Sequence, residues 1–325
     1  MHRLRFILLA LWLTACAAPV TVAPPTATPP PLRHIRLPMG FIPSVQYAPF
    51  YVAVEKGYFA AEGLELEFDY SFETNGVQLV GAGQLPFAVV SGEQVLLARA
   101  QQLPVVYVMA WFQQFPVAVV AKSDSGITQA ADLAGKTIGV PTLDGANFIG
   151  LHALLAKAQL KAEDVTIQAI GFNQVPALTA GQIDAAVVYA NNEPIRLAAQ
   201  GEKLNVILIG EQVALAANGI LSNEDTLAKD PDLVRGFTRA LKRGIQDALA
   251  NPDEAYTIAK KFVPELKDDV VEKQVLQATL AMWKTDHVGY AKAEAWEMMQ
   301  ATLLEAKLLT APLDLSKAYT NDFVP

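Results

Sequence analysis

Short β-branched runs alternate with apolar-periodic stretches along this chain, and the alternation completes one pass and then begins again. Strands alternating with helices specify βαβ units and a mainly parallel sheet, so this order constrains the fold more than composition does. In the first pass, 35–41 sets Ile35, Leu37 and Met39 at strand period. A proline-punctuated loop then leads to the helical pattern Phe50, Val54 and Phe59. Segments 64–70, 87–90, 105–110 and 117–121 read as further strands, with helices at 76–83 and 93–101. The second pass opens with a strand at 136–140, a turn at 141–145 and a helix at 147–158. Strands at 165–169, 185–189 and 206–209 and a helix at 175–180 complete it. Beyond Asn218, Ser222 reads as a helix cap ahead of amphipathic helices near 231–250, 252–262, 270–283 and 291–307. Two α/β units and a helical return predict two lobes joined by a double chain crossover, with crossings near Val120 and Ala217. Lobe 1 is then 35–120 plus 218–325, and lobe 2 is 121–217. At 325 residues and 52% hydrophobic, the chain exceeds what one core usually accommodates, which agrees with two lobes.

The N-terminus has a separate character. Arg3 and Arg5 precede an apolar run from Phe6 to Leu13, and Leu13-Thr14-Ala15 sets small residues ahead of Cys16, the only cysteine. The run is too short to span a bilayer and has the layout of a cleaved signal peptide over 1–15. It resembles the lipobox of bacterial lipoproteins, which implies acylation of Cys16. From Ala17 to Pro31 the chain contains only Ala, Pro, Val and Thr, with six prolines and no charge. The lipidated cysteine and this proline-rich tether make up 16–34. Polyproline II geometry lets it hold a domain roughly 40 Å or more from a membrane. Cleavage before Cys16 removes Arg3 and Arg5 and lowers the formal net charge of −8 by two. Such an acidic surface excludes nucleic acid as a partner, and membrane contact is expected through the lipid anchor alone. With its cysteine lipidated, the folded part carries no disulfide.

Ligands of open α/β sheets sit beyond the carboxyl ends of strands, here the cleft between the lobes. The loops at those ends carry Ser44, Gln46, Tyr47 and Phe50, then Ser91, Glu93 and Gln94, then Trp111-Phe112-Gln113-Gln114-Phe115. In the second unit they carry Thr142, Asp144, Asn147 and Phe148, then Asn173 and Gln174, then Tyr189, Asn191, Asn192 and Glu193. Aromatics supply flat faces, amides supply paired donors and acceptors, and no Lys or Arg occurs in these stretches. The set suits a neutral or weakly cationic planar heterocycle and suits sulfonate, nitrate or phosphate poorly, since those call for basic residues. Three aromatics within 111–115 cannot all face one core at strand period. Glu93 and Glu193 invite an acid/base reading, but carboxylates that simply open helices explain them better.

Catalytic constellations are thin. His34, His152 and His287 lack metal-ligand spacing, and neither a Gly-x-Ser-x-Gly elbow nor a dinucleotide or phosphate-loop fingerprint occurs. No metal, no cofactor and no catalytic residue is therefore expected.

Tyr47-Ala48-Pro49-Phe50-Tyr51-Val52-Ala53, Gly57-Tyr58-Phe59 and Glu62-Gly63-Leu64 resemble the opening of periplasmic substrate-binding proteins of ABC importers. The branch is the one whose members bind thiamine pyrimidine precursors, riboflavin, taurine and nitrate. Asp132 to Val140 resembles that branch's entry to the second lobe, and Ala180 to Ala186 a later strand signature. The resemblance implies the two-lobed periplasmic-binding-protein fold, closure on a small molecule, and delivery to an ABC permease with its ATPase on the extracytoplasmic side. The overall likeness is greatest to riboflavin-binding lipoproteins of bacterial riboflavin importers. It implies that Trp111, Phe112, Tyr47 and Tyr189 sandwich a flavin ring. Gln113, Asn147, Asn191 and Asn192 would read the ring's polar edge, with Glu93 or Glu193 accepting from hydroxyls. Gln46, Phe50 and Ser91 complete the expected ligand set. A thiamine pyrimidine precursor, an aminopyrimidine, is the alternative ligand. Pyrimidine-synthesising enzymes resemble the same fold, but they need a cysteine-rich stretch that this chain lacks.

Overall fold

The computed structural model describes residues 31–266 and 269–325. Cys16, the signal segment and nearly all of the tether lie outside the described residues, and 32–325 form one unit. Among the described residues, ten strands build three sheets. β1 (Arg33–Gly40) pairs in parallel with β2 (Leu64–Phe72), Leu37 facing Phe68 in register. β3 (Ala88–Val90), β10 (Gly219–Asn223) and β4 (Val105–Ala110) form the second sheet in the order β3-β10-β4. The third holds β5 (Val117–Lys122), β6 (Thr137–Val140), β7 (Thr166–Ala169), β8 (Ala185–Tyr189) and β9 (Leu204–Leu208), in the order β7-β6-β8-β5-β9. All of β4 and nearly all of β5 and β8 are buried, as their unbroken apolar runs require.

Parallel and antiparallel pairs occur in comparable number, which corrects the expectation of a mainly parallel arrangement. β6 pairs in parallel with β7 and β8, but β5 runs antiparallel to β8 and β9, and β10 runs antiparallel to β3 and β4. β5 and β10 are the strands by which the chain enters one sheet from the other. Neither is reached through a helical crossover on its own sheet, so the parallel βαβ rule does not bind them. Val120, proposed as the first crossing, lies in the middle of β5, opposite Ala186 and Val206. The passage falls at 111–116 instead. The return passage lies between β9 and β10 and contains Ala217. The two passages are hydrogen-bonded together: the amides of Trp111 and Phe112 both donate to the Asn218 carbonyl, at 3.0 and 2.9 Å.

Ser222 does not cap a helix. It lies in β10, fully buried, and its hydroxyl donates to the Pro86 carbonyl at 2.8 Å. The cap is Asn223, whose side chain accepts from the Thr226 amide at 2.8 Å and opens the helix Glu224–Lys229.

The long helix Pro231–Ala250 shows how the return helices attach. Pro231 stands at its first turn, and the Asp230 side chain accepts from the Leu233 amide at 3.3 Å. Leu233, Phe237, Leu241, Ile245 and Ala248 recur at helical spacing and are buried. Gly244 lets this helix approach helix Ala48–Glu55 closely, since a Cβ there would stand 2.2 Å from the Pro49 carbonyl oxygen. Among the described residues no helix is long and apolar enough to cross a membrane.

Candidate functional site

A cavity of about 300 Å³ opens where strand ends from the two halves converge. Met39 and Gly40 end β1 and Phe41 follows it, Phe72 ends β2 and Glu73 follows it, and Trp111 and Phe112 follow β4. Pro141 and Thr142 follow β6, Phe172 lies beyond β7, and Tyr189 ends β8. All are carboxyl ends of strands, where helix starts and turning backbone leave side chains free to point at a ligand.

One wall is aromatic. Trp111 and Tyr47 stack at 5.2 Å between ring centroids with 19° between planes, and Phe112 meets Trp111 edge-on at 4.6 Å. Phe50 supports the pair from behind, edge-on to both rings. The stacking fills the space between Tyr47 and Trp111, so these two do not sandwich a ring. They present a single flat aromatic face to the cavity. Tyr47 is fixed by its hydroxyl, which donates to the Met39 carbonyl at 2.6 Å. Trp111 is 4% exposed, and its indole N–H has no partner among the described residues. The aromatics of 111–115 divide as their spacing requires: Trp111 and Phe112 reach the cavity, while Phe115 turns toward Gly150 in the second half. A second aromatic group forms the mouth. Phe172 meets Phe41 edge-on at 4.9 Å and stacks on Phe72 at 5.6 Å, closing one half on the other.

The polar lining contains Gln46, Gln94, Asn147, Gln174 and Asn218 with the carboxyl groups of Glu73, Asp144 and Glu193, and no Lys or Arg. Asn218, on the return passage, joins the halves: its side-chain oxygen accepts from the Tyr189 hydroxyl at 3.0 Å, and its amide donates to Glu73 Oε1 at 3.3 Å. Glu73 Oε2 accepts from the Ser91 amide at 3.2 Å and from the Ser91 hydroxyl at 2.6 Å. The same hydroxyl contacts Glu93 Oε1, while Glu93 Oε2 is buried without a partner. Burial pushes both carboxyls well above the usual range, and for Glu93 the charge of Glu73 adds to it. Burial also raises Glu193, against the backbone amides, Arg196 and Asn192 that stabilise its charge.

Of the expected ligand residues, the cavity collects Gln46, Tyr47, Trp111, Phe112, Asn147, Tyr189 and Glu193. One N–H of the Asn147 amide donates to the Val187 carbonyl at 2.9 Å, leaving its second N–H and its side-chain oxygen. Six expected residues stand outside the lining. Phe50 is the buried second layer, and Ser91 and Glu93 lie behind Glu73. The Gln113 side chain folds back on the Ala110 carbonyl at 3.5 Å, beside Tyr290 and Trp296. Asn191 is fully buried and donates to Thr279 at 2.7 Å. Asn192 donates to Glu193 at 3.0 Å and accepts from Arg196 at 2.7 Å, bordering an outer groove. Arg196 in turn holds Glu272 on the return helix Asp269–Trp283 through two bonds, at 2.7 and 3.1 Å. Asn191 and the Asn192–Arg196–Glu272 series thus join the end of β8 to helix Asp269–Trp283.

Sequence reasoning missed Phe41, Phe72, Glu73, Phe172 and Asn218. The signal for Phe72 and Glu73 was present, because they follow a strand as directly as Trp111 does. No group of three or more His, Cys, Asp or Glu among the described residues is placed to hold a metal.

The NMT1/THI5-like family matches residues 44–255. The chain is 43% identical to the riboflavin-binding protein RibY of Chloroflexus aurantiacus, over 98% of this chain and 96% of that protein. It is 26% identical to a formylaminopyrimidine-binding protein of Halalkalibacterium halodurans, over 89% and 90%. It is 23% identical to a 4-amino-5-hydroxymethyl-2-methylpyrimidine phosphate synthase of Legionella pneumophila, over 90% and 92%. Among solved structures, the alkanesulfonate-binding protein SsuA of Xanthomonas axonopodis superposes with a TM-score of 0.71 at 16% identity, over 89% of this chain and 98% of that one. The fold is thus the two-lobed one of periplasmic binding proteins.

Proposed function

The chain belongs to the NMT1/THI5-like family, and from that premise we propose that it is the solute-binding component of an ABC importer and captures riboflavin between its lobes. The observation that carries this reading is the cavity itself: a flat aromatic wall, amides and carboxyls around it, and no cation on its lining. A neutral tricyclic ring lies against Trp111 and Tyr47, and its polar edge meets Gln46, Gln94, Asn147 or Gln174. The polyhydroxyl tail turns toward Glu73 and Glu193 on the same lining, whose carboxyls accept from its hydroxyls. The 43% identity to a riboflavin-binding protein over nearly the whole chain supports flavin over aminopyrimidine, for which the relative is 26% identical. It also supports a binding protein over a synthase, a reading for which the cysteine-rich stretch is missing. Acylated Cys16 anchors the protein on the outer face of the cell membrane, and the tether holds the two lobes (33–110 with 219–325, and 117–208) within reach of a permease and its ATPase.

Titration of riboflavin into the purified protein tests the proposal. Electron-rich rings at van der Waals contact quench flavin emission, so saturable quenching and a raised melting temperature are expected. Stabilisation by an aminopyrimidine with no response to riboflavin would transfer the assignment to the pyrimidine.

A further inference from the structure

The hydrogen count around Ser91 fixes the charge that a ligand meets. The Ser91 hydroxyl touches Glu73 Oε2 and Glu93 Oε1, yet it carries one hydrogen. With both carboxyls ionised, one of those contacts would set lone pair against lone pair. One carboxyl therefore holds a proton and donates to the serine oxygen, while serine donates to the other. Three donors converge on Glu73: the Ser91 amide, the Ser91 hydroxyl and the Asn218 amide. Glu93 is fully buried and its Oε2 has no partner, so an anion there would rest on fewer donors, Ser91 and its own backbone amide. The proton belongs on Glu93 Oε1, and the negative charge belongs on Glu73.

Glu73 lines the cavity; Glu93 does not. A carboxylate has about four acceptor positions, and three are used, so one remains for a ligand. A separate observation points to the same occupant. Trp111 is on the cavity wall, 4% exposed, with an indole N–H that no group among the described residues accepts. A ligand that offers an acceptor to Trp111 and a donor to Glu73 satisfies both. Asp144 and Glu193 add acidic groups to the lining, with no Lys or Arg to offset them.

We infer that Glu73 is the specificity-determining residue of the site: an ionised carboxylate, with its partner proton held by Glu93 through Ser91, that accepts from an N–H or O–H of the ligand and rejects ligands carrying their own negative charge. Resting on the flavin reading, this means that the importer component takes riboflavin and refuses riboflavin 5′-phosphate.

The test is fluorescence titration of the full-length protein with riboflavin and with riboflavin 5′-phosphate at pH 7.5, between the values of about 7 for Glu73 and about 8 for Glu93 to which burial pushes the two carboxyls. Wild type should prefer riboflavin by about 50-fold or more, the order expected for a desolvated like-charge contact. Glu73→Gln should weaken riboflavin about 10-fold or more and narrow the preference below about 10-fold. Glu93→Gln keeps a neutral side chain that donates to Ser91, so it should change riboflavin affinity by less than about 3-fold. Equal wild-type affinities for the two flavins would overturn the inference while leaving the riboflavin reading intact, and this ratio needs no variant to fold. A preference unchanged in Glu73→Gln, or a loss in Glu93→Gln as large as in Glu73→Gln, would also overturn it. No riboflavin binding by wild type removes the functional reading and this inference together.

Discussion

Replacing Glu93 by Gln should make the protein more stable at neutral and alkaline pH, and the sign follows from burial. Glu93 is fully buried, and burial first and the Glu73 charge second push its carboxyl from an ordinary 4.5 up to about 8. Between these two values the folded protein holds a proton that the unfolded chain has released. Unfolding therefore becomes easier as pH rises through the window, at about 1.4 kcal/mol per pH unit for one proton. Across about pH 5 to 8 the loss is on the order of 4 kcal/mol. The amide that replaces the carboxyl in Glu93→Gln keeps its shape and the donor to Ser91 and has no proton to lose, so the variant's stability lacks this slope. The assay is thermal unfolding of wild type and Glu93→Gln followed by circular dichroism at pH 5 and pH 8. The difference between the two proteins reports Glu93 together with its coupling to the Glu73 charge. It should be small at pH 5 and grow to about 10 °C at pH 8, using about 2–4 °C per kcal/mol for a chain of this size. Melting temperatures that stay parallel across this range would refute the assignment of the proton to Glu93.

The remaining predictions concern other levels of the structure. Tyr189→Ala removes a ring from the cavity together with the hydroxyl that holds Asn218, and should weaken riboflavin binding by about 1–3 kcal/mol in a fluorescence titration. Arg196→Ala leaves Glu272, whose side chain is 5% exposed, without its paired cation, and should cost about 2 kcal/mol in denaturant unfolding. Gly244→Ala drives a methyl group into the Pro49 carbonyl and should destabilise by about 1–3 kcal/mol in the same assay. Cys16→Ala should yield protein that takes up no labelled fatty acid and leaves the membrane fraction; retention of label would reject the anchor.

The helices that depend on a single amphipathic stripe were legible in the sequence. Pro231–Ala250 and Pro252–Phe262 match their expected bounds, because a proline start and a 3.6-residue apolar period are local signals. β10 was not legible. Gly219 to Asn223 is short and lacks alternation, and it becomes a strand only because β3 and β4 lie on either side of it. Strand direction was misread for the same reason: the antiparallel entry of β5 is a property of the crossing, not of Val117 to Lys122. At the site, the strand-end rule found Trp111, Phe112 and Tyr189 but says only that a loop is near a cleft, not which way a side chain turns. Gln113 and Asn191 are polar residues in the expected loops that partner with backbone or with Thr279. Asn218 stands among small apolar residues, and its role is set by a hydroxyl and a carboxyl from opposite halves of the protein.

The pairing of the two passages through the Asn218 carbonyl has a kinetic consequence. Any rotation of one half against the other pivots about these joined segments, so groups beside them travel little and groups at the mouth travel far. Glu73, Asn218 and Trp111 lie at the pivot, so under the proposed function they are open to a ligand before the jaws meet. The stack of Phe172 on Phe72 and its edge contact with Phe41 lie at the end of the lever arm and exist only after they meet. Capture then divides into two stages with separate owners. The pivot sets how well a ligand is held on arrival, and the aromatic rim sets how long it stays.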